Sequence, residues 1–240
     1  MDRKKVGNKL SLLSRFGQTW EIKINFLKQK NFMDKKLQTV KTYNDSAKQL
    51  AKKFDDLGAR TEDIREAFNL VKKVNPHVLE IGCGNGRDAK EIIKHTDSYL
   101  GIDISTELIK LARQNVPGVK FEVADIETYN FPSSLDIIFA FASLIHVPKP
   151  SLKKILQQSF LSLNNGGIVR LSLKYADKYF ETTKDDEFGT RTYFLYSKSD
   201  IEEITGEFVI YKNEAVNFGP QSWLEIILIK KQTTFLGRKT

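Results

Sequence analysis

Cysteine occurs once in these 240 residues, at Cys83. A single thiol cannot build an internal disulfide framework, and such usage suits a reducing, cytoplasmic setting. Histidine occurs three times, at His77, His95 and His146. None stands in ligand spacing with the cysteine, so no metal centre is expected. Long apolar runs are missing too. The longest, Leu135 to Val147, has 13 residues and contains Asp136, whereas a membrane-spanning helix needs about 20, so no membrane association is expected. Residues 1–32 show no basic start followed by a clean apolar stretch and a small-residue cleavage site, which argues against a secretory signal.

Positive charge is abundant, a net +8, but it is concentrated at the ends. Residues 1–33 carry eight Lys or Arg against two acids, and residues 230–240 carry four against none. The body, 34–229, holds 26 bases against 28 acids. A nucleic-acid channel built into a fold needs its bases in the body, so nucleic acid is not expected as a partner there. The organisation reads as a basic extension over 1–33, a domain over 34–231 and a basic tail over 232–240. Met33-Asp34-Lys35-Lys36 restates the opening Met1-Asp2-Arg3-Lys4-Lys5, which makes 1–32 an extension of little expected function.

From Tyr43 the pattern becomes regular. Ala47, Leu50, Ala51, Phe54 and Leu57 recur at helical spacing, as do Ile64, Ala67, Phe68, Val71 and Val74. Strands and helices then alternate: strand over 78–81, helix over 87–94, strand over 99–104, and a helix capped by Ser105 and running to about Asn115. Strands follow over 119–124 and 135–142, then a helix from Ser151, a turn over 164–167 and a strand over 168–173. Ser199 with Glu202 reads as the capping box of a short helix. Two final strands, 208–216 and 223–230, leave no room for a helix between them. The expected fold is α/β, a Rossmann-like doubly wound, mostly parallel seven-stranded sheet ending in a C-terminal antiparallel hairpin.

The informative stretch is Val78-Leu79-Glu80-Ile81-Gly82-Cys83-Gly84-Asn85-Gly86-Arg87-Asp88-Ala89. Glycines at a strand-to-helix turn permit positive φ and the close approach of a ligand to the backbone. Dinucleotides and S-adenosylmethionine both use this device. The dinucleotide fingerprint is G-x-G-x-x-G, and its third glycine would fall at Arg87. Glu80 places a carboxylate just before the loop, which opposes a pyrophosphate but suits a ligand bearing an ammonium and a sulfonium. Asp103 ends the next strand, where a carboxylate can accept both ribose hydroxyls. Asp125 and Ile126 end the third strand, where an acid and an apolar residue suit an adenine, although loop acids are common.

With V-L-E-I-G-C-G-N-G-R-D-A, Y-L-G-I-D-I-S and V-A-D-I-E in place, the chain resembles the Rossmann-like S-adenosylmethionine-dependent methyltransferases from about Tyr43 to Lys231. The resemblance implies S-adenosyl-L-methionine as cofactor. It implies that Gly82, Gly84 and Gly86 line it with Glu80, that Asp103 and Ile104 meet the ribose, and that Asp125 and Ile126 frame the adenine. Tyr43 is similar to an N-terminal tyrosine that covers the cofactor in small-molecule members. Methyl transfer to an oxygen or nitrogen of a small acceptor is therefore the expected activity. An RNA or protein methyltransferase that uses the basic ends, and a non-catalytic cofactor-binding protein, are the alternatives.

The acceptor should sit beside Ala142-Ser143-Leu144-Ile145-His146-Val147-Pro148. No Asn/Asp-Pro-Pro-aromatic motif of base-amino methyltransferases stands there, and cytosine-C5 chemistry would need a cysteine nearby. His146 is the general-base candidate, because an ordinary imidazole titrates near working pH. A histidine hydrogen-bonded as part of the loop is the other reading. Arg191, Tyr193 and Tyr196, in the aromatic-rich segment Phe188 to Ile201, are pocket candidates, with a solvent-exposed loop as the alternative. Cys83 is read as a small packing residue.

Overall fold

In a computed structural model, the structure describes residues 29–231 together with 23 and 27. Most of the expected basic extension and all of the 232–240 tail lie outside the described residues. A first helix, α1, covers residues 29–45. It is followed by α2 (Ala47–Leu57), α3 (Thr61–Val71), β1 (Val78–Ile81), α4 (Ala89–Ile92), β2 (Tyr99–Asp103), α5 (Thr106–Asn115) and β3 (Lys120–Val123). Next come β4 (Leu135–Phe141), a short 3-10 turn (Leu144–His146), α6 (Lys149–Ser162) and β5 (Leu163–Tyr175). The chain then forms β6 (Phe180–Asp186), β7 (Gly189–Tyr196), α7 (Lys198–Ile204), β8 (Val209–Phe218) and β9 (Gln221–Ile229).

Strands β3, β2, β1, β4 and β5 lie side by side and parallel. All residues of β1 and β4 are buried, as expected of parallel strands covered on both faces, whose sequences read as near-continuous apolar runs. One face packs Leu152, Ile155 and Leu156 of α6 and Ile201 and Ile204 of α7. The other packs Ile64 and Ala67 of α3, Ala89 and Ile92 of α4, and Ile109 and Ala112 of α5. This two-sided cover is the doubly wound arrangement, and it directs the C-terminal ends of β1, β2 and β4 to one rim of the sheet. β9 runs antiparallel to β5 and carries β8 on its far side. Among the described residues no helix is long and apolar enough to cross a membrane.

The sheet has nine strands. Seven are those the sequence predicts, and two form an added β6–β7 hairpin whose β7 runs parallel to the end of β5 at Lys174 and Tyr175. β6 reads F-E-T-T-K-D-D and is mostly exposed, so it has no apolar alternation to announce it. Three local expectations are corrected. Only Ala89–Ile92 of 87–94 is α-helical. The 164–167 turn belongs to β5, where a register shift opposite Leu135 and Ile137 takes up the irregularity. The capping box at α7 is Ser197 with Asp200, not Ser199 with Glu202. Ser197 Oγ accepts from Asp200 N at 3.2 Å, and the Asp200 carboxylate accepts from Ser197 N at 2.8 Å.

α1 runs unbroken across the expected boundary at residue 33, and Phe32 packs against the core. Its buried positions, Thr39 and Thr42, are polar, which hides the helix from a search for apolar period. They are satisfied by the hairpin instead. Thr39 Oγ1 accepts from Thr192 N at 3.1 Å, and Thr42 Oγ1 donates to Thr190 O at 2.7 Å. Ser46 Oγ donates to Phe188 O at 2.7 Å.

Candidate active site

The glycine loop leaves β1 at the rim of the sheet. Gly82, Gly84 and Gly86 all have positive φ, at 72°, 57° and 80°, which L residues with a Cβ adopt only with strain. Their surroundings differ. A Cβ on Gly82 would lie 2.1 Å from Ser143 Cβ, and one on Gly86 would meet Val116 Cγ2 at 3.1 Å. A Cβ on Gly84 would meet nothing within 4 Å. Of the three, Gly84 alone turns its α-carbon to open space. Gly82 lets the loop after β4 come close, and Gly86 lets α5 pack.

Asp103 stands beside this loop at the end of β2. One carboxylate oxygen accepts from Gly84 N at 3.0 Å and the other from Ser105 N at 2.8 Å. Burial raises its pKa, and the amides of Ser105, Gly84 and Ile104 pull it back. Ser105 also caps α5 by accepting from Leu108 N. Its hydroxyl donates to Asn44 Oδ1 at 2.8 Å, so α1 is tied to the start of α5. Ile104 and Ile126 are both half-buried.

Two charged residues of the expected site have partners within the fold. Glu80 is 3% exposed and accepts a hydrogen bond from the Tyr99 hydroxyl. Burial, reinforced by Asp88, pushes its pKa up to about 8, so at neutral pH it is mainly a protonated core group, not a charge offered to an ammonium. Asp125 does not stand free either. Lys36 of α1 donates to both of its oxygens, at 2.8 and 2.6 Å, and also reaches Glu127 at 2.5 Å.

Glu80 makes a stability prediction. An ordinary glutamate ionises near 4.5, and this one near 8 in the folded chain. Between those values folding takes up a proton, so the contribution of Glu80 is full below about pH 4.5 and is lost as the pH rises towards 8. Glu80→Gln can still accept from Tyr99 and does not titrate. Urea unfolding at several pH values in this window should show the variant gaining on the parent as the pH rises. Parallel profiles would show that the Glu80 carboxyl is not held protonated.

Above the strand ends, α1, the turn after β4 and the hairpin converge. His146 Nδ1 donates to Thr192 O at 2.5 Å, leaving Nε2 to accept from the Tyr43 hydroxyl at 2.8 Å. The Tyr43 and Tyr193 rings lie 5.4 and 4.7 Å from that imidazole, and the Arg191 guanidinium lies 5.6 Å from the Tyr43 ring centre. Burial lowers the pKa of His146 to about 4, with Arg191 and Lys174 adding to the effect. Burial raises that of Tyr43. Both groups are therefore neutral near pH 7, and the expectation that His146 titrates near working pH is corrected. Tyr196 is fully buried and donates to Val147 O at 2.5 Å, so it is a core residue and not a pocket residue. His95 stacks on Phe68, and His77 N donates to Asp136. Neither lies among the groups gathered at the rim.

Sequence reasoning missed Ser143, Asn44, Lys36 and Lys174. Ser143 had a signal, its place in A-S-L-I-H-V-P. Ala142 before it has φ 50° and donates its N–H to Ser172 Oγ at 3.0 Å, a strained backbone of the kind that clusters at functional sites. Among the described residues, Ser143 Oγ is buried and has no hydrogen-bond partner. Buried hydroxyls are usually satisfied. An orphaned hydroxyl, an open face over Gly84 and a preset carboxylate at Asp103 together fit a bound nucleoside-type cofactor.

Comparison with known proteins agrees with this geometry. Residues 78–167 match the family described as "Methyltransferase domain". The chain is 28% identical over 124 residues to a trans-aconitate 2-methyltransferase of Rhodopseudomonas palustris, covering 50% of this chain and 47% of that protein. It is 32% identical over 147 residues to malonyl-[acyl-carrier protein] O-methyltransferase 2 of Ilyobacter polytropus, covering 59% and 53%. The chain thus spans about half the length of these relatives. Its fold is similar to that of the Burkholderia thailandensis 1,6-didemethyltoxoflavin-N1-methyltransferase, with TM-score 0.64 and 16% identity over 80% of this chain and 87% of that one. A methyltransferase structure from Clostridium acetobutylicum gives TM-score 0.59 at 15% identity, covering 72% and 91%. With its glycine loop and its sheet, the chain thus carries a methyltransferase-domain match over residues 78–167 on a Rossmann-like fold shared with solved methyltransferases.

Proposed function

We propose that this protein transfers a methyl group from S-adenosylmethionine to an oxygen or nitrogen of a small molecule. The observation that carries the reading is the joint placement of the open Gly84 α-carbon, the preset Asp103 carboxylate and the Tyr43–His146 pair at one sheet rim. Ligands of open α/β sheets bind outside the carboxyl ends of the strands. Asp103 would hold the ribose hydroxyls, Ile104 and Ile126 would flank the nucleoside, and Ser143 would supply its orphaned hydroxyl. When bound, S-adenosylmethionine would supply a methyl group carried on a sulfonium.

The chain's own residues then mainly align and exclude water. His146 fixes the Tyr43 hydroxyl, and Tyr43 closes the rim from α1. With a pKa near 4, His146 is a weak base; its part is to orient Tyr43 rather than to deprotonate an acceptor. The relatives with curated names act, by those names, on trans-aconitate, malonyl-[acyl-carrier protein] and phosphoethanolamine, which supports a small acceptor group. The domain is proposed to begin with α1 rather than at residue 34. A single buried, free Cys83 suits a cytoplasmic protein.

The test is a transfer assay with methyl-labelled cofactor against small carboxylates, phenols, amines and total RNA. Label in a small molecule is expected. Label in RNA alone would replace this reading, and tight cofactor binding with no transfer to any acceptor would make the chain a binding protein.

A further inference from the structure

Lys174 lies near the end of β5, and its Nζ sits 4.9 Å from the Tyr193 ring centre and 5.1 Å from that of Trp223. Its hydrogen-bond partner is Gln221 Oε1 at 2.9 Å. Among the described residues no carboxylate pairs with it. Arg191, 7% exposed, faces the same Tyr193 ring at 5.7 Å, pairs with Asp186 and interacts with Tyr43, while among the described residues its Nε is buried without a hydrogen-bond partner. Lys184 stands directly opposite Arg191 across the hairpin, and like charges so placed destabilise a strand pair. Lys53 and Arg191 both face the Phe188 ring, at 4.7 and 5.5 Å. Three of these cations, Lys174, Arg191 and Lys53, thus gather at aromatic faces with Lys184 beside them, and Asp186 is the one carboxylate bonded to any of the four among the described residues.

We propose that the methyl acceptor carries an anionic group, a carboxylate or a phosphate, and that Lys174 and Arg191 hold it beside His146. This rests on the methyl-transfer reading and names the class of acceptor. The excess of positive charge costs the empty fold stability, and an anion at this point offsets that cost. Burial, with Lys184, Arg191 and Lys53 nearby, lowers the pKa of Lys174 to about 8. Lys174 and Arg191 also bear on the His146 imidazole, so their field reaches the centre of the site. An ionised acceptor oxygen, moreover, has no proton to remove, which matches a site whose histidine is a weak base.

The test is binding of benzoate, phenyl phosphate and, as a neutral isostere, benzamide, read by calorimetric titration with and without saturating S-adenosylhomocysteine. The parent should bind an anion at least about tenfold more tightly than benzamide, the ratio one charge-assisted hydrogen bond supplies. Benzoate against phenyl phosphate names the preferred anion. Lys174→Met, which keeps the stem packing on Tyr193 and Trp223, should lose about tenfold or more of that affinity, and Lys174→Arg should recover most of it. Affinity for S-adenosylhomocysteine should stay within about threefold in every variant. Equal binding of benzoate and benzamide to the parent, or unchanged benzoate binding in Lys174→Met, would overturn the proposal. A parent that binds anions but not S-adenosylhomocysteine would instead overturn the methyltransferase reading and leave the anion site standing.

Discussion

Asp103→Ala should lose about two to four decades of affinity for S-adenosylmethionine and for S-adenosylhomocysteine alike, since both carry the same ribose. The carboxylate is oriented before any ligand arrives, by Gly84 N on one oxygen and Ser105 N on the other. Each ionised oxygen has about two acceptor positions, so each keeps one for a ribose hydroxyl. Hydrogen bonds to a charged partner contribute about 1.5–3 kcal/mol each, and losing both costs about 3–6 kcal/mol. The same change frees two backbone amides, so Asp103→Asn serves as a second variant that keeps one acceptor oxygen near them. Calorimetric titration of the folded proteins decides the matter. An alanine variant that binds within threefold of the parent would remove Asp103 from the ribose site.

The second large effect separates two glycines that look alike in sequence. Gly82→Ala should destabilise the fold by about 2–5 kcal/mol, combining about 1–2 for a side chain at positive φ with about 1–3 for overpacking. The overpacking is specific, because the new Cβ would lie 2.1 Å from Ser143 Cβ and push away the turn that carries His146. Whole-domain stabilities are about 5–15 kcal/mol, so the loss is a large share. Gly84→Ala meets open space and should lose only about 1–2 kcal/mol, all of it backbone strain. Its methyl instead occupies the face where a cofactor would approach, so it should bind S-adenosylhomocysteine at least tenfold more weakly while remaining folded. Urea midpoints and titrations on both variants test the pair. Unchanged cofactor affinity in Gly84→Ala would place the ligand away from this face, and a Gly82→Ala protein as stable as the parent would contradict the close approach of Ser143.

The order of elements from α2 to β5 and from α7 to β9, the glycine turn and the position of Asp103 were legible in the sequence. Each is written in a window of a few residues: buried β1 and β4 as apolar runs, α5 by Ser105 and its helical period, the loop by its glycines. Tertiary structure decided what depends on distant partners. α1 was hidden because its buried face is threonine, satisfied by β7 at separations of 148 and 153 residues. β6 was hidden because an exposed, polar strand has no alternation and exists only by pairing with β7. Glu80 looked like a charge for a ligand, but burial raises its pKa towards the neutral form. Asp125 read as an acid for an adenine or an ordinary loop acid, and its partner Lys36 comes from 89 residues away. His146 looked like a base near neutrality until burial and two cations lowered it. Local backbone preference and periodicity travel in the sequence, whereas ionisation and polar pairing are set by burial and by neighbours that only the folded chain brings together.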